Sequence, residues 1–321
     1  MNDILKQIRE IGIVPVIKLD DPKDAVPLAA ALCKGGIPCA EITFRTAAAR
    51  ASIKAITEAF PNMLVGAGTV LTTEQVDEAI EAGAKFIVSP GFNPKIVSYC
   101  IERGIPITPG CSNPSDIEQA IEFGLEVVKF FPAEAAGGIK MIKAMSAPYT
   151  GVKFMPTGGI NAQNLNEYLA FDKVIACGGS WMVSESLIKE GRFDDISVLT
   201  AQAMEQMLGF EIAHIGINAD DASSATGIAG AFGDLFGLAV KDGNSSLFAG
   251  SIIEVMKANG LGTKGHIAFK TNYLSRAVKY LERKGVRFNE ATLKLDSFGN
   301  PMIIYLQDEI GGFAVHIVQK K

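Results

Sequence analysis

No two cysteines in this chain are spaced to hold a metal or to cycle through a disulfide. Cys33, Cys39, Cys100, Cys111 and Cys177 stand far apart, without a CxxC pair. That is the usage of reduced, mostly buried thiols, and it points to a cytoplasmic protein. Cys177 precedes a glycine pair, but no neighbour in sequence favours its thiolate, so a structural role is expected for it. No apolar stretch is long enough to span a bilayer, and the start, Met1-Asn2-Asp3-Ile4-Leu5-Lys6, has no apolar signal core. Charge of one sign is also missing: 30 basic against 35 acidic residues leave a net −5, which gives no reason to expect nucleic acid or an anionic membrane as a partner. Histidine does not occur before residue 214. What remains is 321 residues, 48% hydrophobic and 20% charged, the composition of a soluble globular protein with material for one large domain or two ordinary ones.

The chain changes character near residue 208. Before it, short β-rich runs alternate with helical stretches eight times, the runs covering 13–18, 39–44, 64–70, 86–91, 106–111, 127–133, 153–159 and 174–182. Helical periodicity occupies 73–82, 93–103, 115–123 and 161–170. Thr72-Thr73-Glu74-Gln75 and Asn113-Pro114-Ser115-Asp116 are capping signals. Such alternation implies a parallel sheet, and eight units in about 200 residues suit a (β/α)8 TIM barrel. A doubly wound open sheet is the alternative, but its glycine fingerprint is missing after the first strand. A helix from Asp194 past Ala201 to Met207 would close the barrel, and Gly209 would end it. The expected domains are 1–208 and 209–321.

Within the first segment the most informative residue is Lys129, between Val128 and Phe130 in a run of strand length. A charged amine there is expensive unless paired or neutral. A desolvated lysine is what Schiff-base chemistry needs, because only the neutral amine attacks a carbonyl. Taken alone, Lys129 reads as a lysine whose head reaches the strand end and is solvated or ion-paired, since buried lysines are rare; the rest of the chain reverses that reading. On the second strand, period two puts Glu41, Thr43 and Arg45 on one face, toward a barrel interior, and Ile42 and Phe44 on the other. A structural Glu41–Arg45 ion pair is the plain alternative to a catalytic role. Gly158-Gly159 ends the seventh run and Gly178-Gly179-Ser180 the eighth. Paired glycines at those two strand ends form the usual phosphate site of this fold.

Together these make an interior lysine, an interior glutamate, an arginine and threonine to hold a carboxylate, and a phosphate cradle. A class I aldolase acting on a phosphorylated 2-keto acid needs this set. Residues 1–208 also resemble the 2-keto-3-deoxy-6-phosphogluconate (KDPG) and 4-hydroxy-2-oxoglutarate (KHG) aldolases. The resemblance runs through Val14-Pro15-Val16-Ile17, Glu41-Ile42-Thr43-Phe44-Arg45-Thr46, Gly66-Ala67-Gly68-Thr69-Val70, Ser89-Pro90-Gly91, Lys129-Phe130-Phe131-Pro132-Ala133-Glu134, Pro156-Thr157-Gly158-Gly159-Ile160 and Gly178-Gly179-Ser180-Trp181. It implies that Lys129 forms the Schiff base and Glu41 moves protons. Arg45 and Thr69 would hold the keto-acid carboxylate, and Pro90, Phe131 and Thr157 would line the pocket. Gly158, Gly159, Gly179 and Ser180 would bind the distal phosphate. Some relatives carry arginine at the position of Lys18, where lysine keeps the charge without the bidentate fork. The products would be pyruvate with glyceraldehyde 3-phosphate or glyoxylate. No cofactor is implied, and a homotrimer is. The alternatives are a regulatory protein using an inactive barrel as a phosphate-ligand receptor, or another phosphate-binding barrel. Neither needs Lys129 in an apolar strand.

Residues 209–321 read as two βαβββ halves. The first has a strand at 211–218, a helix near 226–236 and strands to 255. The second has a strand at 265–270, a helix at 273–284 and strands to 318. Through Gly265-His266-Ile267-Ala268-Phe269-Lys270, Ala277-Val278-Lys279-Tyr280-Leu281 and Gly285-Val286, this α+β unit resembles the glyoxalase-like domains of the vicinal oxygen chelate superfamily. That resemblance places candidate ligands for a divalent metal (Zn, Ni, Mn or Fe) at His214, Glu254, His266 and His316, the last where many members have Glu. Strand histidines serving only as satisfied polar residues are the alternative. The unit's role stays open between an isomerase or lyase on a related metabolite, a ligand-sensing module and an oligomerisation domain.

Overall fold

The run Ile13-Val14-Pro15-Val16-Ile17 has no polar face, so it can be a strand only where both faces are covered. It forms β1 (Ile13–Ile17), in which only Val16 is less than buried. The computed structural model, which describes residues 1–320, repeats this solution around a ring. β2 (Cys39–Thr43), β3 (Leu64–Gly68), β4 (Phe86–Val88), β5 (Ile107–Thr108), β6 (Val127–Phe130), β7 (Lys153–Pro156) and β8 (Cys177–Gly179) follow, and every pairing among these strands is parallel. A six-stranded sheet runs β5-β4-β3-β2-β1-β8, and β6-β7 form a two-stranded one. Single bridges join them, Gly110 to Lys129 on one side and Phe154 to Val174 and Thr157 to Gly178 on the other. The result is a (β/α)8 barrel-like ring with helices between strands.

Caps set where those helices begin. Thr72 accepts from Gln75 N–H at 3.2 Å and Asn113 from Asp116 N–H at 3.1 Å, starting helices Thr73–Glu81 and Pro114–Glu122. The helix expected over 161–170 is confined to Leu165–Leu169. Asn161 and Asn164 cause the shortening. Asn161 N–H donates to Asn164 Oδ1 at 2.8 Å, and both side-chain amides donate to Gly159 O. These side chains offer the backbone an alternative to the first helical turn.

The chain divides into two compact units, Met1–Gln206 and Met207–Lys321. The second unit is one eight-stranded, largely antiparallel sheet in the order β10-β11-β12-β9-β13-β16-β15-β14. Its strands are β9 (Glu211–Asn218), β10 (Val240–Asp242), β11 (Ser246–Ala249), β12 (Ile253–Met256), β13 (His266–Thr271), β14 (Phe288–Leu295), β15 (Pro301–Leu306) and β16 (Ala314–Gln319). In each half the first strand pairs in parallel with the last, β9 with β12 and β13 with β16, and antiparallel β9–β13 pairing joins the halves within one chain. The first half's helix, Ala222–Phe236, begins earlier than the pattern suggests because Asp221 caps it, accepting from Ser224 N–H at 2.7 Å. The second half's helix is Leu274–Arg283. Each packs a small apolar cluster, Ala225, Ala229, Leu247 and Val255 in the first and Leu274, Ile304 and Ile317 in the second. Among the described residues no helix is long and apolar enough to cross a membrane.

Candidate functional site

β2 and β6 bring Glu41 and Lys129 together inside the barrel. Glu41 is 0% and Lys129 5% exposed, and Lys129 Nζ lies 3.6 Å from Glu41 Oε1. That is longer than a hydrogen bond. Neither carboxylate oxygen of Glu41 has a hydrogen-bond partner. A buried polar group left unsatisfied costs about 1–3 kcal/mol, and more when charged. Such a cost is retained where a water or a ligand completes the contact. The Phe131 ring lies with its centroid 5.1 Å from the lysine nitrogen.

Arg45 does not share the interior with Glu41. β2 ends at Thr43, so Arg45 falls beyond the strand and is exposed. Its Nε donates to Thr43 Oγ1 at 3.1 Å, and that hydroxyl donates to Ile17 O at 2.8 Å. The Glu41–Arg45 ion pair that the strand pattern allowed is therefore not formed, and the charge beside Glu41 is Lys129. Thr69, just past β3, has φ 54°, a left-handed conformation rare for a β-branched residue. Backbone strain of this kind is retained where surrounding structure holds a residue in one orientation, often at a ligand site. Pro90 sits in a turn fixed by the Ser89 hydroxyl, which donates to Gly91 O at 2.8 Å.

Thr157 is buried and its hydroxyl has no partner. Gly158 and Gly159 follow with φ of 99° and 81°, a turn that other residues adopt only with strain. Ala133 N–H donates to Thr157 O at 2.8 Å and Glu134 N–H to Gly158 O at 3.1 Å, laying this turn on the segment after Lys129. The Thr157–Gly178 bridge sets Gly179 and Ser180 on the neighbouring strand end. Lys18 is committed elsewhere, to Glu185 at 3.0 Å and Asp20 at 3.2 Å.

The second unit gathers its own polar cluster on one sheet face. Glu254 and His266 flank Gly216 in the strand register, and His214 and His316 flank Ala268. Gly216 is glycine for space, since a Cβ there would run into the His266 ring. His214 Nε2 stands 3.1 Å from His266 Nε2 and 3.1 Å from Glu254 Oε2, and His266 Nε2 stands 3.2 Å from the same oxygen. These three offer donor atoms to one point. His316 is adjacent but not in that set: its ring centroid is 5.3 Å from those of His214 and His266, and 4.4 Å from that of Tyr305. Its Nδ1 is buried without a partner.

Burial, reinforced by His266 and His214, pushes His316 down to about 3. Burial also lowers His214, against the pull of Glu254. Burial raises Glu254, but hydrogen bonds from His266 and Ser246 and the nearby histidines outweigh it and leave the carboxyl at about 2. Ser246 Oγ donates to Glu254 Oε1 at 2.6 Å. Sequence reasoning missed Ser246 and Tyr305, because their places depend on strand register, which composition does not reveal.

Comparison with known proteins bears on the first unit. The KDPG and KHG aldolase family matches residues 4–199. A 2-dehydro-3-deoxy-phosphogluconate aldolase of Treponema pallidum is 50% identical over 205 residues, 64% of this chain and 98% of that protein. The KHG/KDPG aldolase of Escherichia coli is 42% identical over 193 residues, 60% of this chain and 91% of that protein. Among solved structures, a KDPG aldolase from Legionella pneumophila with pyruvate captured as a covalent carbinolamine is 39% identical, with a TM-score of 0.61 over 63% of this chain and 98% of its own. A Zymomonas mobilis KDPG aldolase with 3-phosphoglycerate is 36% identical, with a TM-score of 0.59 over 63% and 95%.

Proposed function

The chain belongs to the KDPG and KHG aldolase family, and from that premise we propose that Lys129 is its Schiff-base nucleophile and Glu41 its proton carrier. The enzyme is a carbon–carbon lyase, an aldolase that releases pyruvate and an aldehyde. The observation that carries the assignment is the buried Lys129 nitrogen 3.6 Å from a glutamate whose two oxygens are otherwise unpartnered. The neutral amine adds to the C2 carbonyl to give a carbinolamine, and loss of water gives an iminium. A base, Glu41 or a water it holds, takes the proton of the C4 hydroxyl. The C3–C4 bond then breaks, its electron pair flows to the iminium nitrogen, and the aldehyde leaves. Protonation of the enamine at C3 and hydrolysis return pyruvate and free lysine.

Arg45 and Thr69 at the mouth suit the substrate carboxylate, with Pro90, Phe131 and Thr157 as pocket wall. The turns at Gly158-Gly159 and Gly179-Ser180 suit a phosphate, because main-chain N–H groups can approach it without side chains in the way. The substrates would be KDPG and 4-hydroxy-2-oxoglutarate, giving glyceraldehyde 3-phosphate and glyoxylate respectively. Borohydride with pyruvate should fix one adduct on Lys129, located by peptide mapping, and Lys129→Ala should abolish both adduct and cleavage. An adduct on another lysine would sink the assignment.

For the second unit, the two βαβββ halves and their donor cluster favour a glyoxalase-like, metal-binding reading. Donors about 2.1 Å from one ion at right angles stand about 3.0 Å apart, close to the spacing of His214, Glu254 and His266. The unpartnered nitrogen of His316 is a candidate fourth donor. A divalent ion bound there would act as a Lewis acid toward an oxygen ligand. The chain's own part is to hold Glu254 ionised, through Ser246 and His266, and to keep His214 and His316 neutral. Metal content of the purified protein is the readout.

A further inference from the structure

Glu134 ends the run that carries Lys129, and the reaction above gives its charge no task. Its side chain lies against the Gly158-Gly159 turn: a Cβ on Gly159 would stand 2.6 Å from Glu134 Cγ and 2.7 Å from its Cβ. Together with the two main-chain hydrogen bonds from Ala133 and Glu134, this makes the segment the floor of the turn. A carboxylate therefore sits beside a turn suited to an anion. Left free to move, it would repel what the turn binds.

The restraint comes from Tyr168. It is 1% exposed, on the short helix Leu165–Leu169, and its phenol donates to Glu134 Oε1 in a short hydrogen bond. Burial and the adjoining carboxylate hold that phenol well above the ordinary range, so it remains a donor wherever the enzyme works. The same helix is tied back to the turn, since Asn161 and Asn164 both donate to Gly159 O, at 3.3 and 3.1 Å. Turn, floor and helix thus close on one another through Gly159, Glu134 and Tyr168.

We propose that Tyr168 and Glu134 are positioning residues for the substrate's distal anion: the phenol pins the carboxylate's charge away from the bound phosphate, and so sets the preference for phosphorylated over unphosphorylated keto acids. This rests on the reading of Gly158, Gly159, Gly179 and Ser180 as a phosphate cradle. A Glu134 without its pin keeps the turn's floor but frees a negative charge beside the ligand. Removing that charge should cancel the defect.

The test compares KM for KDPG and for 4-hydroxy-2-oxoglutarate. Tyr168→Phe keeps the ring and frees the carboxylate. It should raise KM for the phosphorylated substrate about tenfold, the size of one lost charge-assisted contact, and leave the other substrate and borohydride trapping with pyruvate unchanged. Adding Glu134→Gln should bring KM back toward the parent value. A double variant as impaired as Tyr168→Phe, or one equally impaired on both substrates, would mean a merely structural floor and overturn the proposal. Glu134→Gln alone keeps an acceptor for the phenol, so a several-fold rise in its KM for KDPG overturns the proposal even if Tyr168→Phe does not fold. Ser180→Asp separates this from the cradle itself. If Ser180→Asp weakens only the phosphorylated substrate while Tyr168→Phe affects both alike, the pinning fails and the cradle stands. Equal effects of Ser180→Asp on both substrates remove the cradle and the proposal together.

Discussion

Lys129 and Glu41 are two buried polar side chains that do not quite meet. A well-made buried ion pair offsets its desolvation with short hydrogen bonds, yet here the gap is 3.6 Å and the carboxylate is otherwise unsatisfied. This geometry is poor for stability and good for a group that must hand a proton to a water or a substrate. Glu41→Gln keeps the shape and removes the base. It should lower kcat by at least about a hundredfold, the usual share of general acid–base catalysis, while the pyruvate adduct on Lys129 still forms more slowly. Complete loss of the adduct would mean that Glu41 holds Lys129 in place rather than moving protons. Lysine in an apolar strand was legible in the sequence because burial of an amine needs a reason. Arg45 was placed inside by the same alternation, and there the reasoning failed, since period two says nothing about where a strand stops. Tyr168 gave no signal at all. An aromatic on a helix face reads as core, and only the fold brings its hydroxyl to Glu134.

At the scale of elements, strand runs and capped helices were readable because the apolar period and the cap are local. Helix 161–170 was overextended, since its Asn side chains compete with the backbone in a way that periodicity ignores. The alternation of β9, β13 and β16 was also readable, but which side chains meet across them is fixed by register: Ala268 lies between His214 and His316, and Gly216 beside His266. That crowding has a consequence for pH. His316 is held at about 3 when folded, below the ordinary 6.5. Between those values the unfolded chain binds a proton that the folded one refuses, so the stabilisation is complete above about pH 6.5 and is lost as pH falls toward 3. Glu254, held at about 2 against an ordinary 4.5, acts in the same direction lower down. In chelator-treated protein, amide protection of β16, corrected for intrinsic exchange, should weaken between about pH 7 and about pH 5, and His316→Gln should flatten that loss. Identical slopes in the two proteins would show that His316 is not the titrating group.

At the scale of the whole molecule, the two readings proposed above call for different electron sinks. In the barrel, the iminium proposed on Lys129 would take the electrons of the breaking bond. A Lewis acid is not needed for that step. In the second unit, three donors gathered within about 3 Å of one another have no such covalent partner, and a divalent ion is what their spacing suits. The two should therefore separate under chelation. Elemental analysis of the purified protein is expected to find a divalent metal, Zn, Ni, Mn or Fe, that a strong chelator removes and that His214→Ala with His266→Ala never acquires. Aldol cleavage should be the same in all three preparations, because the imine step proposed for Lys129 and Glu41 takes no metal. If the parent protein carries no metal above background, the second unit is a non-metallated relative of its fold, better suited to binding or assembly. If chelation instead stops aldol cleavage and added metal restores it, the barrel relies on an ion and the Schiff-base assignment falls, however well the lysine is placed.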